Sequence, residues 1–234
     1  MQLVLRGGGG KGSAEAMPGL QLGAVATRAD RQGRGYAGAL MQRVLASADT
    51  LRLPVLLFAN SSVTDFYPRF GFHRLPSHRA WTMGAFEPSG AVATPLDPTR
   101  EADRRLLSDI CTRSIPHGGA LSAAPEPSLP LWYLCNGLAR ALVLDGGRSI
   151  VFVTEADSCL RVHDWLGPLP VDPLATLCSV MSAPVVRIEF GFLPPCGWFG
   201  DNLRLEPDDA AFMYWRAARP MPPGPLLFPE MLMT

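Results

Sequence analysis

The stretch from Leu20 to Asn60 constrains the fold more than any other part of the chain. A short apolar run, "LQLGAVAT", Leu20 to Thr27, reads as a strand. The glycine-spaced "DRQGRGYAGALMQ", Asp30 to Gln42, follows it directly. Past that turn, Ala37, Leu40, Met41, Val44, Leu45 and Ala48 recur at i, i+3, i+4, i+7, i+8 and i+11, which lays one apolar stripe along a helix. "PVLLFAN", Pro54 to Asn60, then has no polar residue from Val55 to Ala59, as a central strand covered on both faces would. Strand, turn, helix and strand in that order predict a crossover unit and an α/β fold with a mixed sheet.

At 234 residues and 47% hydrophobic content the chain can fill real cores as one large or two small domains. Its 21 basic and 21 acidic side chains cancel, so no net field draws it to nucleic acid or an anionic membrane, and any anion must be held by local geometry. Five scattered cysteines without a Cys-x-x-Cys pair argue against a disulfide framework and a zinc site. A reducing cytoplasm is the expected location, and no metal is expected. No apolar run approaches the roughly 20 residues a bilayer span needs.

The opening "RGGGGKGSAEAMPG" is not a phosphate loop, since Lys11 is followed by Gly12 rather than Ser or Thr, and residues 1–18 read as a flexible leader. Residues 19–86 form the first domain. Within it, Ser62, or alternatively Thr64, can cap a short helix through "VTDFYPRF", and "GFHRL" resumes extended structure. The proline-bearing stretch 87–99 reads as a linker. In residues 100–234 a helix precedes a three-strand meander turned at Asp145-Gly146-Gly147 and near Asp157-Ser158. A helix from Pro173 to Met181, the strand "VVRIEFGF" and a closing strand pair, "AAFMYWRAA" and "PLLFPEM", complete a second mixed α/β domain.

The turn before the first helix is suited to an anion. A helix N-terminus leaves main-chain N–H groups unpaired and carries the positive end of the macrodipole. Gly33, Gly35 and Gly38, with small Ala37, keep side chains out of the way, and Arg34 can add a charge-assisted contact. These features specify nothing narrower than a diphosphate-bearing ligand, and a tight strand-to-helix turn that holds no ligand fits them as well.

In register, Gln32, Gly35 and Ala37 meet the loop pattern Gln/Arg-x-x-Gly-x-Gly/Ala. One α/β unit later come Asn60 and then Tyr67-Pro68-Arg69-Phe70-Gly71-Phe72, a Tyr-x-x-x-Gly-Phe pattern. In this pair of motifs the chain resembles the GNAT superfamily of acetyl-CoA-dependent N-acetyltransferases. The resemblance implies acetyl-CoA as co-substrate and an amine, small-molecule or peptide, as acceptor. It implies that the backbone of Val25, Ala26 and Thr27 pairs with the pantetheine arm, that Gln32, Gly33, Arg34, Gly35, Tyr36, Ala37 and Gly38 form the pyrophosphate loop, and that Asn60 touches the coenzyme. Tyr67 would be the general acid for the departing thiolate; its bland alternative is an aromatic anchor between helix and sheet.

The GNAT pattern also implies strands and helices ahead of the coenzyme loop, and here only the glycine-rich leader stands there. The resemblance therefore implies a partial fold, an apolar sheet edge beside Leu20 to Thr27 that favours self-association, and no identifiable general base, Glu15 being poorly placed. The second domain imitates the same order of elements with "PLPVDP" in place of a glycine turn, as a degenerate copy would. His163 and Asp164, adjacent on a strand, read as ordinary strand residues. Two functions fit: an acetyltransferase acting on amines, or a non-catalytic coenzyme-binding or protein-interaction module.

Overall fold

The computed structural model describes residues 2–6, 14–90, 93–117, 119–217, 221 and 224–233. Its strands are β1 (Gln2–Arg6), β2 (Ala14–Pro18), β3 (Leu20–Leu22), β4 (Val55–Phe58), β5 (His73–Leu75), β6 (His78–Phe86), β7 (Thr94–Pro95), β8 (Leu121–Ala123), β9 (Arg140–Leu144), β10 (Ser149–Ala156), β11 (Cys159–Leu166), β12 (Val185–Phe190), β13 (Arg204–Pro207) and β14 (Met213–Arg216). The helices are α1 (Tyr36–Thr50), α2 (Glu101–Arg113), α3 (Ser128–Cys135) and α4 (Pro173–Val180). The fold is mixed α/β, as the crossover pattern requires.

Three sheets are built from these strands: β2-β1-β8, β3-β4-β14-β5, and β13-β6-β12-β11-β10-β9-β7. Strand β10 shows how the long sheet is filled on both sides. Val151 and Val153 face one core with Leu177 and Val180 of α4, while Ile150 and Phe152 face another with Leu107 and Ile110 of α2. That alternation is the period-2 geometry of a strand. Helix α1 covers the four-stranded sheet through Met41, Leu45 and Ala48, packed on Val55 and Leu57. The opposite face of that sheet meets Leu3 of β1 and Leu121 of β8.

A single unit occurs twice. Strands β3 and β4 pair in parallel with α1 between them in sequence, and β11 and β12 pair in parallel with α4 between them. Beside each pair lies a strand from the other half of the chain. The late strand β14 is inserted between β4 and β5, and the early strand β6 between β12 and β13. Both insertions are antiparallel ladders on two sides, so each half of the chain completes the other's sheet. The division expected at 87–99 is thus crossed by both larger sheets, and β7 inside that segment pairs with β9.

Several local expectations change. Within the expected leader, β1 and β2 form an antiparallel pair, with β1 also paired to β8; the glycine run with Lys11 lies outside the described residues. The strand expected from Leu20 to Thr27 ends at Leu22, because Ala24 takes a left-handed conformation, φ 52°, that breaks the pleat. Between Ser61 and Phe70 there are two short 3-10 turns rather than one helix, and the cap of the first is Asn60, not Ser62 or Thr64. The segment "PLLFPEM" forms no strand; Glu230–Leu232 is a 3-10 turn packed beside α3 and β11.

That turn brings Glu230 into the second unit. Its carboxylate bonds to His163 and Arg161, and its N–H donates to the Gly191 carbonyl at 2.8 Å. Burial pushes the Glu230 carboxyl up, but the bonds from His163 and Arg161 outweigh it and hold it below its ordinary value. His163 stands at a bulge, where the β10–β11 register shifts between Phe152 and Val153 and leaves it without a strand partner. A Cβ on Gly191 would stand 2.4 Å from the Glu230 side chain and 2.7 Å from the His163 carbonyl.

Gly191→Ala should therefore lower stability by about 1–3 kcal/mol through overpacking, read as a shifted urea midpoint. Because of the crossed strands, residues 1–99 expressed alone should give no cooperative unfolding transition, and co-expression with residues 100–234 should restore one. A cooperative transition from the short fragment alone would contradict the exchange.

Candidate functional site

The residues of the opening turn come together at the N-terminus of α1. Gly33 and Gly35 have φ of 73° and 79°, left-handed values that glycine adopts without strain. Nothing lies within 4 Å of where a Cβ would sit on either, so backbone conformation rather than crowding by the protein itself calls for glycine there. Gly38 differs: it is inside the first helical turn, and a Cβ would make an ordinary 3.7 Å contact with the Phe70 ring.

The first intrahelical bond runs from the Ala39 N–H to the Gly35 carbonyl at 3.0 Å. No main-chain N–H from Gly33 to Gly38 has a partner among the described residues, and Gly35 caps the helix with no side-chain bond. Gln32 turns inward instead, its Nε2 donating to the Thr27 carbonyl at 3.2 Å and closing the loop. Arg28 and Asp30 pair through two hydrogen bonds of 2.8 and 2.6 Å, which holds the Asp30 carboxyl below its usual range. Arg34 and Tyr36 are exposed at the mouth.

The corresponding end of α4 is built differently. Asp172 accepts from the Ala175 N–H at 2.9 Å, and Pro173 has no N–H to offer. The two units therefore share a topology but not a helix mouth: α4 is capped by its own chain, and α1 is open.

Beside α1 lies a cavity of about 230 Å³, lined by Leu22 to Ala26 and by Ala37, Leu40, Met41 and Val44. It opens where the β3–β4 ladder stops at Leu22↔Leu57, although β4 continues to Phe58. Val25 is 41% exposed and Leu40 61% exposed, so the apolar stripe read from the sequence spans two faces of α1. Met41, Leu45 and Ala48 fill the core; Ala37, Leu40 and Val44 border the cavity. Leu40 and Val44 were legible only as core positions, and the signal that could have separated them is the width of a six-position stripe.

Asn60 and Tyr67 stand on the connection after β4. The Asn60 Oδ1 accepts from the Ser62 N–H and hydroxyl, each at 3.0 Å, and Nδ2 has no partner among the described residues. Tyr67 is 6% exposed, edge-on to Phe66 and Phe72 and tilted against Tyr214, with ring centroids 5.3, 6.1 and 5.7 Å away. Burial, with the Tyr214 phenol beside it, pushes the Tyr67 hydroxyl above its ordinary pKa. Its ring belongs to the cluster beneath α1 and is not among the residues lining the cavity. His163 and Asp164 lie far along the chain in the second unit, where Asp164 accepts from the Trp165 N–H and burial pushes its pKa up to about 6. Among the described residues no group of three or more His, Cys, Asp or Glu could hold a metal, and no helix is long and apolar enough to cross a membrane.

Residues 12–75 match a protein family described as an acetyltransferase (GNAT) domain. No curated protein matches the chain in sequence. The fold resembles a probable N-acyltransferase from Enterococcus faecalis, at TM-score 0.55 and 14% identity over 93% of this chain and 57% of that one. It also resembles Eis1 from Mycobacterium abscessus, at 0.53 and 17% over 91% and 59%. A GCN5-related N-acetyltransferase from Kribbella flavida is similar at 0.51 and 17%, over 93% and 55%. The chain thus spans 55% to 59% of the length of these three structures. At these identities the likeness is one of fold, the N-acyltransferase architecture. The match to the acetyltransferase (GNAT) domain is confined to residues 12–75, which hold the glycine turn, α1, β4 and Tyr67.

The two glycines make opposite predictions. Gly35→Ala should destabilise by about 1–2 kcal/mol because alanine must hold a left-handed φ. Gly38→Ala should stabilise by up to about 1 kcal/mol through helix propensity. Urea denaturation of both variants checks this; a Gly35→Ala midpoint equal to the native one would mean that the turn is not left-handed in solution.

Proposed function

We propose that the open mouth of α1 binds the pyrophosphate of acetyl-CoA and that the protein is an N-acetyltransferase for an amine carried by a small molecule or a peptide. The observation that carries this reading is the row of unpartnered N–H groups from Gly33 to Gly38. A phosphate seated there gains several hydrogen bonds and about half a unit of favourable charge from the helix. With Gly35 at the cap, the missing side-chain bond costs only about a few tenths of a kcal/mol, which a bound anion would offset. Exposed Arg34 adds a second cationic contact.

The apolar cavity beside Val25 and Leu40 would take the pantetheine arm. Main-chain pairing with that arm would fall to Val25, Ala26 and Thr27, whose carbonyl also accepts from Gln32. Asn60 keeps an Nδ2 donor to offer. Acetyl-CoA would supply a thioester whose acyl group passes to the amine nitrogen, the C–S bond breaking as the C–N bond forms and the nitrogen releasing a proton to water. Tyr67 would then hold the proton for the sulfur, and its raised pKa keeps the phenol protonated at neutral pH.

A second reading, coenzyme binding without transfer, is favoured by one observation. The Tyr67 ring is enclosed by Phe66, Phe72 and Tyr214, as an aromatic anchor would be.

Calorimetry with acetyl-CoA and thiol release on a panel of amines separate the two. Gly35→Glu should abolish binding by placing bulk and negative charge at the mouth; unchanged affinity would refute the reading. Tyr67→Phe should lower turnover by about 10²–10⁴-fold if the phenol is the acid. Turnover indifferent to that change leaves Tyr67 as packing alone.

A further inference from the structure

A second cavity, about 880 Å³, lies in the second half, and among the described residues it shares no lining residue with the cavity at α1. It sits between the C-terminal end of α2, the β9–β10 turn and the loop after β11. Its size is within the ~300–1,000 Å³ usual for small-molecule sites. Ile110 of α2 and Leu169 supply apolar wall, and Ile115 leaves 72% of its surface exposed at the same opening. Aliphatic surface of that kind gains by being covered.

The charged side chains that line this cavity among the described residues are arginines. No Asp or Glu is among its described lining residues, and two arginines are. Arg148 is neutralised by Asp145, to which its Nη2 donates at 2.5 Å. Arg113 has no carboxylate partner: its Nε donates to the Asp109 carbonyl at 3.0 Å, and its Nη groups have no partner among the described residues. The arrangement is an apolar chamber with a single uncompensated guanidinium at its edge.

We propose that this cavity binds an amphipathic carboxylate, an acid with an aliphatic chain. The carboxylate pairs with the Arg113 Nη groups, and the chain lies against Ile110, Ile115 and Leu169. Guanidinium and carboxylate match in geometry as well as charge, since two parallel N–H groups can meet two oxygens. This site is independent of the coenzyme reading at α1.

Decanoate is the probe, with decyltrimethylammonium as a control of equal chain length and opposite charge. Calorimetry should give one decanoate site and no comparable site for the cation. Arg113→Gln should weaken decanoate about tenfold or more, the effect of losing a charge-assisted hydrogen bond. Leu169→Trp should weaken decanoate by placing a bulky ring on the apolar wall, and Gly35→Glu should leave its affinity unchanged. On the unaltered protein, decanoate should slow alkylation of Cys196, which lines this cavity, but not of Cys135, which is exposed elsewhere. Absence of binding, equal binding of both amphiphiles, or decanoate binding without Cys196 protection would overturn the assignment.

Discussion

β14 is hydrogen-bonded along both edges to strands from the other end of the chain, and the candidate site depends on that ladder. Met213, Tyr214 and Trp215 each stand opposite one residue of β4 and one of β5. The same strand supports α1. Tyr214 lies in the cluster beneath the helix, and Arg216 donates to Asp49, near the C-terminal end of α1, through two bonds of 2.7 and 2.8 Å. The helix whose mouth is open is thus set on its sheet by residues more than 150 positions away. β6 returns the same support to the second sheet, so damage at either end of the chain should reach both.

Within this shared frame the two strand–helix–strand units have gone separate ways for identifiable reasons. In the second, Asp172 and Pro173 satisfy or remove the donors at the start of α4, and Glu230 lies against the bulged end of β11 with His163 and Arg161. In the first, glycines put the backbone into left-handed conformations just before α1 and leave its N–H groups facing solvent. A helix end left uncapped is a small but real cost in the free protein. Water or an anion can complete it.

The crossover unit, the meander and the glycine turn were legible because each is written in local periodicity or in residues with a special backbone role. The strand exchange was not. β14 reads as a strand within "AAFMYWRAA", whereas "HRAWTMGAF", which forms β6, received no reading, and nothing in either segment says which sheet will take it. The end of β3 was hidden because Ala24 carries no outward sign of its positive φ. "RGGGG" at the start suggested a flexible segment and obscured the strand immediately before it. Tyr67 was legible as a motif position, yet its aromatic neighbours come partly from β14, which the motif does not contain. The pairing of His163 with Glu230 joins residues from distant segments, and only the folded chain displays it.

The central claim is that the amides from Gly33 to Gly38 hold the pyrophosphate of the coenzyme. Backbone amide resonances recorded during a titration with coenzyme A test it most directly, with acetylpantetheine, which lacks the pyrophosphate, as the comparison. The account predicts that the largest shifts with coenzyme A fall on residues 33–38 and that acetylpantetheine leaves those amides nearly unmoved. Saturable binding of coenzyme A with its largest shifts elsewhere, and none at Gly33, Gly35 or Ala37, would contradict it.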